Sequence, residues 1–146
     1  MDVRELYQDM IVDHSRSPRN FGPLEEATSS ADGYNPLCGD RIRVWVDADA
    51  DTIRKVSFEG QGCAISTASA SIMTEMLKGK TRDEAARLID LFHDLVRGEN
   101  SPGGTDPGKL AVFAGVRDYP SRVKCAVLAW HALKAALEGG GRVSTE

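Results

Sequence analysis

Residues 41–78 read RIRVWVDADADTIRKVSFEGQGCAISTASASIMTEMLK, and a change of period inside this stretch decides the fold. Ile42, Val44 and Val46 alternate with Arg41, Arg43 and Trp45, the pattern of a strand with one buried face. Asp47–Asp51 supplies a turn. Ile53, Val56 and Phe58 then mark a second strand whose uneven spacing leaves room for a bulge. So short a connection predicts antiparallel pairing. Gly60-Gln61-Gly62-Cys63 closes the sheet and opens a helix, with Ile65, Ala68, Ile72, Met76 and Leu77 on its buried face and Gly79 as its stop.

Upstream, Val3, Leu6, Tyr7, Met10, Ile11 and His14 recur at three- and four-residue intervals, an amphipathic helix over Asp2–His14 that stops in SRSPRNFGP. Glu25–Asp40 is polar and turn-rich and reads as irregular chain or a short edge strand. Downstream, Thr81-Arg82-Asp83-Glu84 is a capping box ahead of a helix that runs through Val96 and ends at Gly98. ENSPGGTDPG, residues 99–108, is a loop; Leu110–Val116 is a short apolar patch; Pro120 starts a last helix to about Glu138. The tail GGGRVSTE, residues 139–146, reads as frayed and flexible. This order predicts an α+β fold, a small antiparallel sheet packed against several helices, in one domain over residues 1–146.

Composition removes several classes of function. A chain of 146 residues can bury a core without disulfide staples. Eighteen Lys and Arg against 22 Asp and Glu leave a net charge of −4, the wrong sign for nucleic-acid binding or a polybasic membrane anchor. No apolar run approaches the roughly 20 residues that span a bilayer. MDVRELYQDM has no apolar core and is not a secretory signal. Three cysteines cannot close into a disulfide framework, so the expected setting is a cytoplasm that keeps thiols reduced.

Each cysteine lies beside a turn or an element end. Cys38 sits in NPLCGD with Asp40 two residues on, where extended chain sends both side chains to one side. Cys63 opens a helix, where free N–H groups can support negative sulfur. Cys125 lies one turn into the last helix; Arg122 shares its face, and Lys124 is rotated about 100° away. A free cysteine is by default a small buried apolar side chain. Separations of 25 and 62 residues match no zinc-finger spacing. Flanking glycines and an acid at i+2 are not what core packing asks for, so a shared metal or thiol site stands beside the packing reading. The histidines compete poorly as a partner base: His131 is turned about 240° from Cys125, His93 borders an apolar stripe, and His14 ends one. The Gly-Gln-Gly turn lacks the lysine of a phosphate loop.

NPLCGD, GQGCAISTAS followed by TEMLKGKT, and RVKCAVLAWHAL together resemble the U-type iron–sulfur cluster assembly family, as does the opening LYQDMIVDHSRSPRNFG. The likeness spans roughly residues 3–138. Members of the IscU type carry a histidine directly before the third cysteine, within a Leu-Pro-Pro-Val-Lys chaperone motif; here the sequence is Tyr-Pro-Ser-Arg-Val-Lys-Cys, with Lys124 in that place. That departure and an extra stretch of about twenty residues near Asp94–Phe113 resemble the SufU branch. The resemblance implies Cys38, Asp40, Cys63 and Cys125 as metal ligands. It also implies Zn²⁺ as the metal, a SufS-type cysteine desulfurase as sulfur donor, and downstream iron–sulfur assembly components as partners. Three thiolates and a carboxylate complete a tetrahedral zinc shell, with Arg122 placed to offset its charge. Cys38, on the Pro/Gly loop, is the ligand expected to swing free and accept persulfide sulfur. The same four residues are also able to hold a [2Fe–2S] cluster as a scaffold, or a purely structural zinc.

Overall fold

A computed structural model describes residues 3–97 and 108–144. The elements are α1 (Val3–Arg16), β1 (Ser29–Asn35), β2 (Asp40–Ala48), β3 (Ile53–Gln61), α2 (Ala64–Leu77), α3 (Arg82–Arg97), a 3-10 helix (Gly108–Asp118), α4 (Pro120–Leu137) and β4 (Gly141–Ser144). The fold is α+β, with a sheet in the order β3-β2-β1-β4. Strands β1, β2 and β3 are antiparallel, and the register slips at Asp47/Ala48, the bulge that the spacing allowed.

Two expectations change. The residues read as a frayed tail form β4, which pairs with β1 in parallel, so the sheet is mixed rather than antiparallel. Three consecutive glycines, Gly139, Gly140 and Gly141, take the positive φ values that swing the chain from α4 back onto the sheet edge. Ser29–Asn35, read as irregular or a short edge strand, is an internal strand between β2 and β4. The loop expected over residues 99–108 lies almost wholly outside the described residues.

Ile42, Val44 and Val46 turn inward, while Arg41 and Arg43 remain exposed on the outer face. The inner face packs on α4 and α2, and α4 is held between the sheet and α2. Every residue from Cys125 to Trp130 is therefore buried, as a helix enclosed on all sides requires. Trp130 stacks on Phe92 with ring centroids 4.7 Å apart. Its Nε1–H donates to Ser69 Oγ at 3.0 Å, and that hydroxyl donates to the Ala126 carbonyl at 2.6 Å. The α2–α4 contact is thus closed by hydrogen bonds as well as apolar area. Among the described residues, no helix is long and apolar enough to cross a membrane.

Candidate metal centre

One end of the sheet, the start of α2 and the second turn of α4 meet around three cysteines. Cys38 lies in the four-residue turn between β1 and β2, where Gly39 takes φ +71°. Its side chain is exposed. Asp40, the first residue of β2, is 1% exposed. Cys125, on α4, is fully buried. The Cys125 and Cys38 sulfurs are 3.4 Å apart. Ligand atoms of Cys38, Asp40 and Cys125 all lie within 4.8 Å of one another, and no other such group occurs among the described residues.

Cys63 stands beside this trio. It is the N-cap of α2, and its Sγ accepts from the Ser66 N–H at 3.5 Å. Its backbone N–H donates to Asp40 Oδ1 at 3.0 Å, and its sulfur lies 3.9 Å from Asp40 Oδ2. Asp40 therefore links the α2 thiol to the other two. The two glycines before Cys63 make this possible. A Cβ on Gly60 would sit 2.2 Å from the Arg41 carbonyl, and one on Gly62 would sit 2.8 Å from Asp40 Oδ1. The Gly-Gln-Gly sequence is a clearance for a neighbouring strand and a carboxylate.

Burial pushes the Cys125 thiol well above its ordinary value; hydrogen bonding with Asp40, Cys38 and Cys63 and the charge of Cys63 add to the effect. Arg122, exposed on the same side of α4, lies in the field of Cys63 and then Cys125, which holds its guanidinium more firmly charged. Asn35 was not foreseen from the sequence. It is fully buried, donates from Nδ2 to Cys125 Sγ at 3.7 Å, and accepts the Leu37 N–H at 3.2 Å. The signal was an Asn before Pro, a turn initiator whose side chain caps the turn two residues on.

The histidines are used elsewhere. His14 is buried against Ser71, Nδ1 to Oγ 2.7 Å. His93 and His131 face one another with ring centroids 5.8 Å apart. A groove of about 640 Å³ opens beside Arg122, lined by Ile11, Ile65, Val112, Val116 and Tyr119. A larger cavity of about 810 Å³ lies on the outer sheet face around Tyr34, Arg41 and Arg43, and holds none of the site's donors.

Residues 6–126 match the model of the family described as NifU-like N terminal domain. The chain belongs to that family. It is 42% identical over 138 residues to the zinc-dependent sulfurtransferase SufU of Bacillus subtilis, covering 93% of each chain. It is 40% identical over 136 residues to the iron–sulfur cluster assembly scaffold protein IscU of Streptococcus pyogenes serotype M1, covering 93% of this chain and 85% of that one. A crystal structure from Fervidobacterium islandicum AW-1, described as a candidate iron–sulfur cluster assembly scaffold for the SUF system, superposes with a TM-score of 0.82 at 35% identity, covering 93% of this chain and 99% of that one. The donor set of this NifU-like domain fits a thiophilic cation. Up to three sulfurs and one carboxylate converge, a set that suits zinc or an iron–sulfur cluster and not magnesium or calcium.

Proposed function

We propose that this protein works in iron–sulfur cluster assembly as a zinc-dependent sulfurtransferase of the SufU type, taking persulfide sulfur from a SufS-type cysteine desulfurase onto Cys38. One observation carries the reading: a single exposed thiol, Cys38, lies 3.4 Å from a buried one, Cys125, with a buried carboxylate in the same group. Cys38, Asp40, Cys63 and Cys125 are the residues that would hold the metal. When bound, Zn²⁺ keeps its thiolate ligands deprotonated without redox chemistry of its own.

Sulfur acceptance needs a thiolate that reaches outward. The Cys38 thiolate attacks the terminal sulfur of the desulfurase persulfide. A new S–S bond forms at Cys38, the donor's S–S bond breaks, and the donor cysteine leaves as thiolate. The turn that carries Cys38 can present it to a partner without disturbing the buried donors. Leu37 at 63% and Tyr119 at 65% exposure flank the site and, with the groove beside Arg122, give such a partner an apolar rim to cover. Three free cysteines, two of them close enough to oxidise, suit a reducing cytoplasm.

The SufU relative and the replacement of the family's histidine by Lys124 favour transfer over a resident cluster, because a lysine ammonium has no lone pair to offer. The test is to add the purified protein to a SufS-type desulfurase with cysteine and a reductant. Turnover should rise with it, and the protein should be colourless with about one zinc per chain. No acceleration, together with a brown protein holding iron and acid-labile sulfide, would establish the scaffold reading instead.

A further inference from the structure

The two thiols lie close enough to raise a question that sulfur acceptance leaves open: what becomes of a persulfide on Cys38 once the metal is lost. We propose that Cys125 is a resolving cysteine in the metal-free protein, expelling the sulfur as sulfide and closing a Cys38–Cys125 disulfide. The inference rests on Cys38 being the acceptor.

The chemistry balances without an added oxidant. A persulfide on Cys38 already carries the oxidation level of a disulfide. The Cys125 sulfur attacks the inner sulfur, Sγ of Cys38; the Cys125–Cys38 bond forms, the bond to the terminal sulfur breaks, and that sulfur leaves as hydrosulfide. The Cys125 thiol proton passes to the hydrosulfide, with the Asp40 carboxylate beside both sulfurs as its route. The net change converts one persulfide and one thiol to one disulfide and one H₂S.

Geometry favours this pair over the alternatives. At 3.4 Å the two sulfurs are already at a near-attack separation. The remaining approach to a bond length of about 2.05 Å falls on the mobile partner. Cys38 is exposed on a turn whose Gly39 has open space around it, whereas Cys125 is fixed by α4 and by the Asn35 amide. Cys63 also neighbours Cys125, but its sulfur is engaged by the Ser66 N–H at the α2 N-terminus and by Asp40 Oδ2, and it lies outside the group that holds the Cys38 and Cys125 sulfurs together. When the metal is present, the Cys125 lone pair is committed to it and the reaction stops. Metal occupancy thus protects the sulfur in transit, and metal loss discards it.

The experiment uses the metal-loaded protein. It is charged with a cysteine desulfurase and limiting cysteine, desalted, and divided; one half receives EDTA under anaerobic conditions. Alkylated digests are then mapped by mass spectrometry and free sulfide is measured. Charging should place one added sulfur on Cys38. EDTA should release about one sulfide per persulfide and yield the Cys38–Cys125 disulfide, at least about ten-fold faster than in the untreated half. Persulfide that survives EDTA on Cys38, or a disulfide to Cys63, overturns the resolving role while leaving Cys38 as acceptor. Charging that labels Cys63 or Cys125 in place of Cys38 overturns the acceptor reading, and the resolving role with it. Cys125→Ser, which lacks a ligand and is therefore charged without metal and checked for folding by circular dichroism, should hold a Cys38 persulfide that metal-free wild type charged in parallel expels. Loss of that persulfide with sulfide release at the wild-type rate counts against the resolving role.

Discussion

Cys38 and Cys125 are neighbours in space and opposites in setting. One sulfur is carried by a four-residue turn in solvent; the other is sealed inside a helix that touches the sheet, α2 and the 3-10 segment. The same side chain gives two kinds of candidate ligand. A thiol anchored in a core can hold a metal in place, because moving it would disturb Asn35, Asp40 and the packing of α4. A thiol on a turn can leave and return at little cost. The sulfur transfer proposed above needs one of each, and the distance between them has to stay short.

The sharpest way to break this contrast is to remove each sulfur in turn. Cys125→Ala should abolish stoichiometric metal binding. A ligand present at a thousand-fold excess over its Kd contributes about 4 kcal/mol to stability. Its loss therefore lowers the melting temperature by on the order of 10 °C for a chain of this size. Cys38→Ala, which removes an exposed ligand and no core packing, should eliminate sulfur acceptance and lower the melting temperature less than Cys125→Ala. Calorimetry and metal analysis on the pair check both. If Cys38→Ala melts lower than Cys125→Ala, the division between a holding and a delivering thiol is wrong.

The contrast also explains what could be read from the residues. Alternation in Arg41–Val46 and the helical stripes of α2 and α3 are local signals, and the chain follows them. The capping box is realised with Thr81 N–H to Glu84 Oε1 and Glu84 N–H to Thr81 Oγ1, both at 3.0 Å. Strand β1 carries no such signal. SSADGYN has poor strand propensity. It is extended because β2 and β4 bond to it on both sides and because Gly33 lets Ile42 and Leu128 approach within 3.0 Å of where a Cβ would be. Strand β4 is likewise imposed by its partner. The three cysteine motifs stood out because core packing does not call for their glycines and acid. Asn35 did not, since its role depends on a helix ninety residues away.

A smaller effect sharpens the comparison from the side of the buried donors. In Gly62→Ala the new methyl would lie 2.8 Å from Asp40 Oδ1 and 3.1 Å from its Cγ. Both contacts are with the Asp40 side chain, so the carboxylate must turn away from Cys63. Overpacking of this kind costs about 1–3 kcal/mol. Metal affinity should fall with it, while Cys38 stays as accessible to a small alkylating reagent as in the wild type. Slower alkylation of Cys38 would show that the turn and the buried wall are mechanically one piece.

The smallest effect concerns the foundation of the wall, far from any sulfur. The helix that carries Cys63 as its N-cap is fastened to α1 by His14, whose Nδ1 meets Ser71 Oγ and whose Nε2 lies 3.6 Å from Glu75 Oε1. Burial holds the His14 pKa below its ordinary 6.5, and Arg19 and Lys109 push the same way against Glu75 and Asp13. In the unfolded chain the imidazole takes its proton at the ordinary value, and in the folded chain only at lower pH. Between the two, the unfolded state binds more protons, so stability falls as pH drops below about 6.5 and levels off below the folded value. One proton limits the slope to about 1.4 kcal/mol per pH unit. His14→Asn should be less stable at neutral pH yet lose less on acidification, which urea titrations at pH 7.5, 6.5 and 5.5 would show. The protein should be measured without metal, so that protonation of the thiolate ligands does not add its own pH dependence. An unchanged acid slope in the variant would move the titration to His131, whose pKa is also lowered by burial, and would remove α1 from the support of the site.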